Sequence, residues 1–269
     1  MKTRIISAII GLALFIAVMA LSGVFPPILC IVFGLLIAMG NYEILNNTGF
    51  VKSKRFLIPS LIYGFIVPFV FPTYLLYLAL TAIFVAINIF VAVFSYGKYE
   101  LKNLCANLIF PIMLGFAFSS VYVLAMLEDT KLLYFVLIFI FAWGADTGAY
   151  FAGTFFGKHK LCPNISPKKT VEGAIGGIIS SVFLAALVGC IYANFLNIEF
   201  KWLVIILGAV IFSVVGMIGD LFASVIKRQC GIKDYGNIMP GHGGVLDRFD
   251  SVLTIAPYFL FFVELFNVI

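Results

Sequence analysis

Charge is scarce in this sequence. Asp, Glu, Lys and Arg make up 11% of its 269 residues, where a soluble domain carries roughly a quarter. Apolar residues fill 63%, including 30 Phe and 12 Tyr, and a folded globule of that composition could not cover itself with a polar skin. The shortage excludes a water-soluble enzyme, a disordered chain and a secreted disulfide scaffold. Cysteine is also thin. Cys30, Cys105, Cys162, Cys190 and Cys230 are odd in number and form no C-x-x-C pair, which argues against a disulfide framework or a zinc site. They suit small apolar packing positions instead.

What is present is a series of long apolar runs. A helix needs about 20 apolar residues to cross the hydrocarbon core. Continuous runs, rather than alternation, favour helices over a barrel. The runs predict nine spans: Ile5–Leu21, Phe25–Leu45, Phe56–Phe71, Tyr74–Ser95, Leu104–Leu127, Leu132–Phe155, Val171–Asn194, Trp202–Ile226 and Phe249–Val268. The third is short and bounded by Pro, so the count holds to about one either way. The first run follows Lys2 and Arg4 as a signal peptide would. No convincing small-x-small cleavage site precedes the next run, so it reads as a membrane helix. The expected fold is an all-α polytopic membrane bundle. It reads as a single membrane domain over 1–269, with N-terminal helices in 1–130 and catalytic helices and loops in 131–269.

The cations orient this map. With the N-terminus in the cytoplasm, all of the 17 Lys and Arg except Lys131 and Lys201 fall on the inner side, as the positive-inside rule requires. The net charge of +5 then faces inward, where it suits anionic lipid headgroups and gives no reason to invoke nucleic acid.

Two carboxylates sit in the wrong solvent. Asp146 lies within the sixth span and Asp220 within the eighth, each beside glycine. A carboxylate there costs at least ~2.5–3.5 kcal/mol, so it faces a cavity, a partner charge or an ion. The alternative is a structural hydrogen bond or salt bridge inside the bundle, and the glycines nearby, which leave room for a ligand, favour a functional role. Asp220, Ser224, Lys227 and Arg228 fall at i, i+4, i+7 and i+8, one polar stripe of a helix. Such a stripe could hold a metal ion and an anion together; equally, Lys227 and Arg228 could simply snorkel to the interface.

Two longer inner segments, 156–170 and 227–248, hold most of the Gly, Pro, Lys and Asp outside the spans. In the second, Gly241, Gly243 and Gly244 let backbone N–H groups approach phosphate. His242 is a phosphate contact, a proton donor or a plain turn residue. Asp247 and Asp250 share a face at the start of the ninth helix, where they could also act as caps. In the first, Ser166, Lys168, Lys169 and Thr170 are phosphate-binding types beside a helix N-terminus. That stretch also reads as a helix start, with Pro167 near the first turn and Glu172 within it.

The run Ser224-Val225-Ile226-Lys227-Arg228, then Lys233-Asp234, then His242 through Asp250 closely resembles the signature of the bacterial phosphatidate cytidylyltransferase (CDP-diacylglycerol synthase) family. Asp146–Tyr150 and Ser166–Gly173 look like that family's other two motifs, in the right order. Met239, Ala223 and Val171 depart from its usual residues. The resemblance implies transfer of CMP from CTP to phosphatidic acid, giving CDP-diacylglycerol and pyrophosphate. It also implies Mg²⁺ on Asp220 and Asp247, a second cation such as K⁺, a homodimer, and residence in the bacterial inner membrane with the site facing the cytoplasm. Asp250 would support the metal, and Asp146 would bind a cation or orient a lysine. Lys227, Arg228, Lys233, Arg248, Lys168 and Lys169 would neutralise phosphates, with Ser224, Ser166 and Thr170 as hydroxyl contacts. Two rivals are an ion-coupled transporter using Asp146 and Asp220 and a CTP-dependent polyprenol or phytol kinase.

Overall fold

The computed structural model describes residues 11, 13, 15, 17–127, 132–196, 201–238 and 243–266. Among them, seven helices are long and apolar enough to cross a membrane, and the chain is a multi-pass all-α membrane protein. They are α1 (Pro27–Asn47), α3 (Tyr74–Phe94), α4 (Leu101–Met126), α5 (Leu133–Phe156), α6 (Val171–Leu196), α7 (Trp202–Gln229) and α8 (Leu246–Phe266). An eighth helix, α2 (Lys54–Val70), has 17 residues and two internal prolines, Pro59 and Pro68. The expected first span, Ile5–Leu21, lies largely outside the described residues. The chain groups into two compact units: residues 1–122 with 230–249, and residues 123–229 with 250–269.

In the first unit, α1 and α2 pack closely because glycine removes the obstacle. A Cβ at Gly34 would strike the backbone of Phe65, and one at Gly64 would strike Asn41 and Ile37. A polar ladder runs through the apolar interior. Asn41 Nδ2 donates to the carbonyl of Ser60 at 2.9 Å. Ser60 Oγ lies 2.9 Å from Asn107 Oδ1, and Asn107 Nδ2 donates to Asn88 Oδ1 at 2.5 Å. All four residues are fully buried. Lipid offers them no hydrogen bonds, so they find one another and thereby link α1, α2, α3 and α4. Around the ladder, Tyr63 stacks on Phe84 with ring centroids 4.4 Å apart.

In the second unit, α5 and α6 meet along small residues. A Cβ at Gly148 would overlap the Ser180 side chain, one at Gly176 would overlap Ala152, and one at Gly177 would meet the carbonyl of Ala145. Ser180 Oγ donates to the carbonyl of Gly144 at 3.2 Å. Close backbone approach is how helices associate when lipid is as apolar as the side chains. The opposite face of α6 presents Ile175, Ile179, Phe183, Leu187 and Ile191 outward, a stripe at four-residue spacing that suits lipid. Gly148→Val should lower the unfolding midpoint in mild detergent by the equivalent of about 1–3 kcal/mol of overpacking. An unchanged midpoint would mean that this seam does not hold α5 to α6.

Between α5 and α6 the chain forms an antiparallel hairpin, β1 (Lys160–Cys162) with β2 (Ser166–Thr170), in the register Lys160 to Thr170 and Cys162 to Ser166 with an irregularity between them. This corrects the expectation for Pro167, which lies in β2 and not in a helical turn. A two-stranded ribbon tolerates a residue without an N–H. The helix begins at Val171 instead, and Thr170 caps it: Thr170 Oγ1 accepts the N–H of Gly173 at 3.1 Å. Glu172 does fall in the first turn. It accepts the N–H groups of Lys158 and His159 and lies 2.6 Å from His159 Nδ1, so it ties the entry to the hairpin onto α6.

Two helices widen by a π turn. In α1 it spans Glu43–Asn47, and in α5 it spans Ile140–Gly144, just before Asp146. Such turns re-aim side chains and gather at functional sites.

Candidate active site

In the second unit, three carboxylates gather with two lysines. Asp220 projects from α7. Beside it, Gly216 and Gly219 leave no room for a side chain against Ile255 and Thr254 of α8, so α7 and this stretch of α8 approach closely. Lys169, from β2, places Nζ 2.5 Å from Asp220 Oδ2, and both side chains are about three-quarters covered. Beyond that ion pair, the buried Nζ has no hydrogen-bond partner among the described residues. Asp146, in the first α-helical turn after the π turn of α5, accepts Ser251 Oγ at 3.5 Å. Asp250 accepts the N–H of Ser251 at 2.8 Å. The charge of Asp220 acts on both Asp146 and Asp250, that of Lys169 on Asp146, and that of Lys227 on Asp250. Like charges this close in a poorly screened interior are held together by cations.

Beside the cluster opens a cavity of about 470 Å³, of the size that takes small ligands. Its chemistry comes from Asp146, Asp220, Lys160, Lys168, Lys169 and Thr154, and its apolar wall includes Phe141, Tyr150 and Met217. An anionic head with a greasy neighbour fits that division. Thr170 also lines it, though its hydroxyl is engaged as the cap of α6.

The cluster's acceptors are all oxygen. Among the described residues, no group of three or more His, Cys, Asp or Glu forms a ready-made metal cage. Mg²⁺ does not require one: it binds through one or two carboxylates and completes its shell with substrate phosphate and water. The donor set therefore fits a hard divalent ion, with Asp220 and its neighbours Asp146 and Asp250 as the available carboxylates.

The first unit holds the other half of the sequence-read motif. Asp247 is buried, and its Oδ2 accepts the N–H groups of Tyr235 at 2.7 Å and Gly244 at 3.0 Å. Gly243 has φ +88°, and a Cβ there would meet the Asp247 carboxyl, so only glycine allows that tight turn. Arg248 and Lys233 are exposed. His242 and Gly241 lie outside the described residues.

The remaining expected residues of the second unit are placed more loosely. Ser224 is partly covered, and Arg228 is exposed in the last turn of α7. Ser166 sits opposite Cys162 in the hairpin. Sequence reasoning passed over Glu43 entirely. It is fully buried in α1, and both its oxygens accept backbone N–H groups, Oε1 from Val245 and Oε2 from Leu246, each at 2.9 Å. The signal that singled out Asp146 and Asp220, an acid inside an apolar run, was there for Glu43 as well.

Comparison with known proteins adds an independent line. A family model described as a cytidylyltransferase family matches residues 2–266. The chain is similar to a phosphatidate cytidylyltransferase of Staphylococcus epidermidis (strain RP62A), 32% identical over 265 residues and 96% of each chain. It is 40% identical to one of Bacillus subtilis (strain 168) over 156 residues, 58% of this chain and 56% of that one. A third, of Staphylococcus saprophyticus, is 50% identical over 124 residues, 46% of each. The matched stretch thus spans about half the length of the latter two relatives.

Proposed function

The chain belongs to the cytidylyltransferase family, and we propose that it transfers CMP from CTP to phosphatidate, forming CDP-diacylglycerol and releasing pyrophosphate for phospholipid synthesis. The names of its relatives support this substrate pair. The observation that carries it is Lys169: a buried ammonium paired with Asp220, beside a cavity that Lys160 and Lys168 also line. An ammonium has three donors, so Lys169 can hold Asp220 and still meet an anion.

A phosphate oxygen of phosphatidate attacks the α-phosphorus of CTP. The new P–O bond forms as the bond to the β-phosphate oxygen breaks, and the electron pair leaves with pyrophosphate. The nucleophile is already an anion, so no general base is needed. The barrier is repulsion between two polyanions, and the chain lowers it by positioning and by neutralising charge. Lys160, Lys168 and Lys169 supply positive charge at the cavity. Asp220 holds Lys169 in place. The apolar wall by Phe141 and Met217 suits the acyl glycerol portion.

Mg²⁺, when bound by Asp220 with Asp146 or Asp250, would further offset the triphosphate charge. Asp247 is a further metal-binding candidate by its motif, and Lys227, Arg228, Lys233 and Arg248 are further phosphate partners. Family resemblance also supports a second cation such as K⁺, a homodimer, and bacterial inner-membrane residence with a cytoplasmic site. The cation distribution supports the same orientation.

Purified protein in detergent with Mg²⁺ should release pyrophosphate only when CTP and phosphatidate are both present. Release of CDP instead would favour the lipid-kinase reading, and CTP-independent substrate flux in sealed vesicles would favour the transporter.

A further inference from the structure

Glu43 sits in the part of the chain that carries none of the signature motifs, yet it reaches the start of α8 across 202 residues of sequence. The first N–H groups of a helix have no partners within it. At α8, Val245 and Leu246 give theirs to the two oxygens of Glu43. A carboxylate here also meets the positive end of the helix dipole. The fit leaves no slack, because a Cβ at Gly236 or at Gly244 would run into the Glu43 carboxyl group. Asn47, four residues on in the same π turn, donates Nδ2 to the carbonyl of Tyr235 at 2.8 Å. Tyr235 and Gly244 both give their N–H groups to Asp247 Oδ2. Glu43 and Asn47 thus grip both ends of the backbone cradle in which Asp247 lies.

We propose that Glu43 is a positioning residue for the reaction. It fixes the N-terminus of α8 and, with Asn47, the backbone at Tyr235 and Gly236, and through them the Asp247 carboxylate. This rests on the functional reading above. The placement accounts for three features at once: an acid inside an apolar span, a π turn at that acid, and two glycines facing it. Such a residue acts through geometry, and a shift of about 1 Å at a reacting group can cost roughly a hundredfold in rate.

The test uses full-length protein in detergent with CTP, phosphatidate and Mg²⁺, comparing wild type with Glu43→Gln and Gly236→Ala. Gln keeps the shape but can accept only through one atom. Gly236→Ala keeps the acid and pushes against it, so the pair remains informative if Glu43→Gln folds poorly. Hydrogen–deuterium exchange of the segment 235–248 is read on the same samples and needs no turnover. The expected result is a kcat lower by about 30- to 100-fold per folded molecule in both variants, with KM for CTP within about threefold. Exchange across 244–248 should be about tenfold faster or more. Unchanged exchange, or a kcat within about twofold of wild type per folded molecule, overturns the proposal. Wild type that makes no CDP-lipid while the exchange difference persists overturns the functional reading instead, and leaves Glu43 as the anchor of this loop.

Discussion

Asp220→Asn should cost about a thousandfold in the rate of CDP-lipid formation while the protein stays folded. The side chain it replaces is the hub of the cluster. It pairs with Lys169 at 2.5 Å, and its charge acts on both Asp146 and Asp250. Asn preserves the volume and removes the charge, so the lysine loses its counter-ion and any bound cation loses its principal ligand. The rate is measured at saturating CTP and phosphatidate, with detergent size exclusion to verify the fold. A rate within about tenfold of wild type would remove Asp220 from the site.

Lys169→Met should cost about a hundredfold, because one preorganised donor to a developing phosphate charge is lost. Methionine retains the unbranched stem, so packing in β2 is largely kept. The informative comparison is the double variant. If Lys169 and Asp220 act as one unit, combining the two changes costs little more activity than Asp220→Asn alone. Stability should move the other way. Removing either partner leaves a lone charge in a largely covered place, whereas removing both does not. The double variant should therefore unfold at a higher denaturant concentration than Lys169→Met. Additive losses in both rate and stability would show that the ion pair is not functionally coupled.

Much of this arrangement was legible in the residues. Hydropathy reports which segments lipid will solvate, and the α3 run expected at Tyr74–Ser95 appears as Tyr74–Phe94. The cost of a buried carboxylate singled out Asp146 and Asp220, and both line one cavity. The same rule applied to the run Phe25–Leu45 would have found Glu43, the acid that holds the start of α8.

Other features were out of reach for physical reasons. The α5–α6 seam depends on which small residues face one another, and hydropathy carries no register between helices. The β1–β2 hairpin is short and strongly polar, so no periodicity marks it, and Pro167 beside a helix start resembles a first-turn proline. The tie between Glu43 and Val245 joins residues 202 apart in sequence, and no local pattern in one sequence encodes such a pair.

The most direct test of the central claim follows the phosphorus atoms. Purified protein in detergent with Mg²⁺ and phosphatidate is given CTP labelled at the α-phosphate in one sample and at the γ-phosphate in another. The account predicts that the α label enters the lipid as CDP-diacylglycerol and the γ label leaves as pyrophosphate. Transfer of the γ label to lipid, with the α label left in CDP, would contradict it.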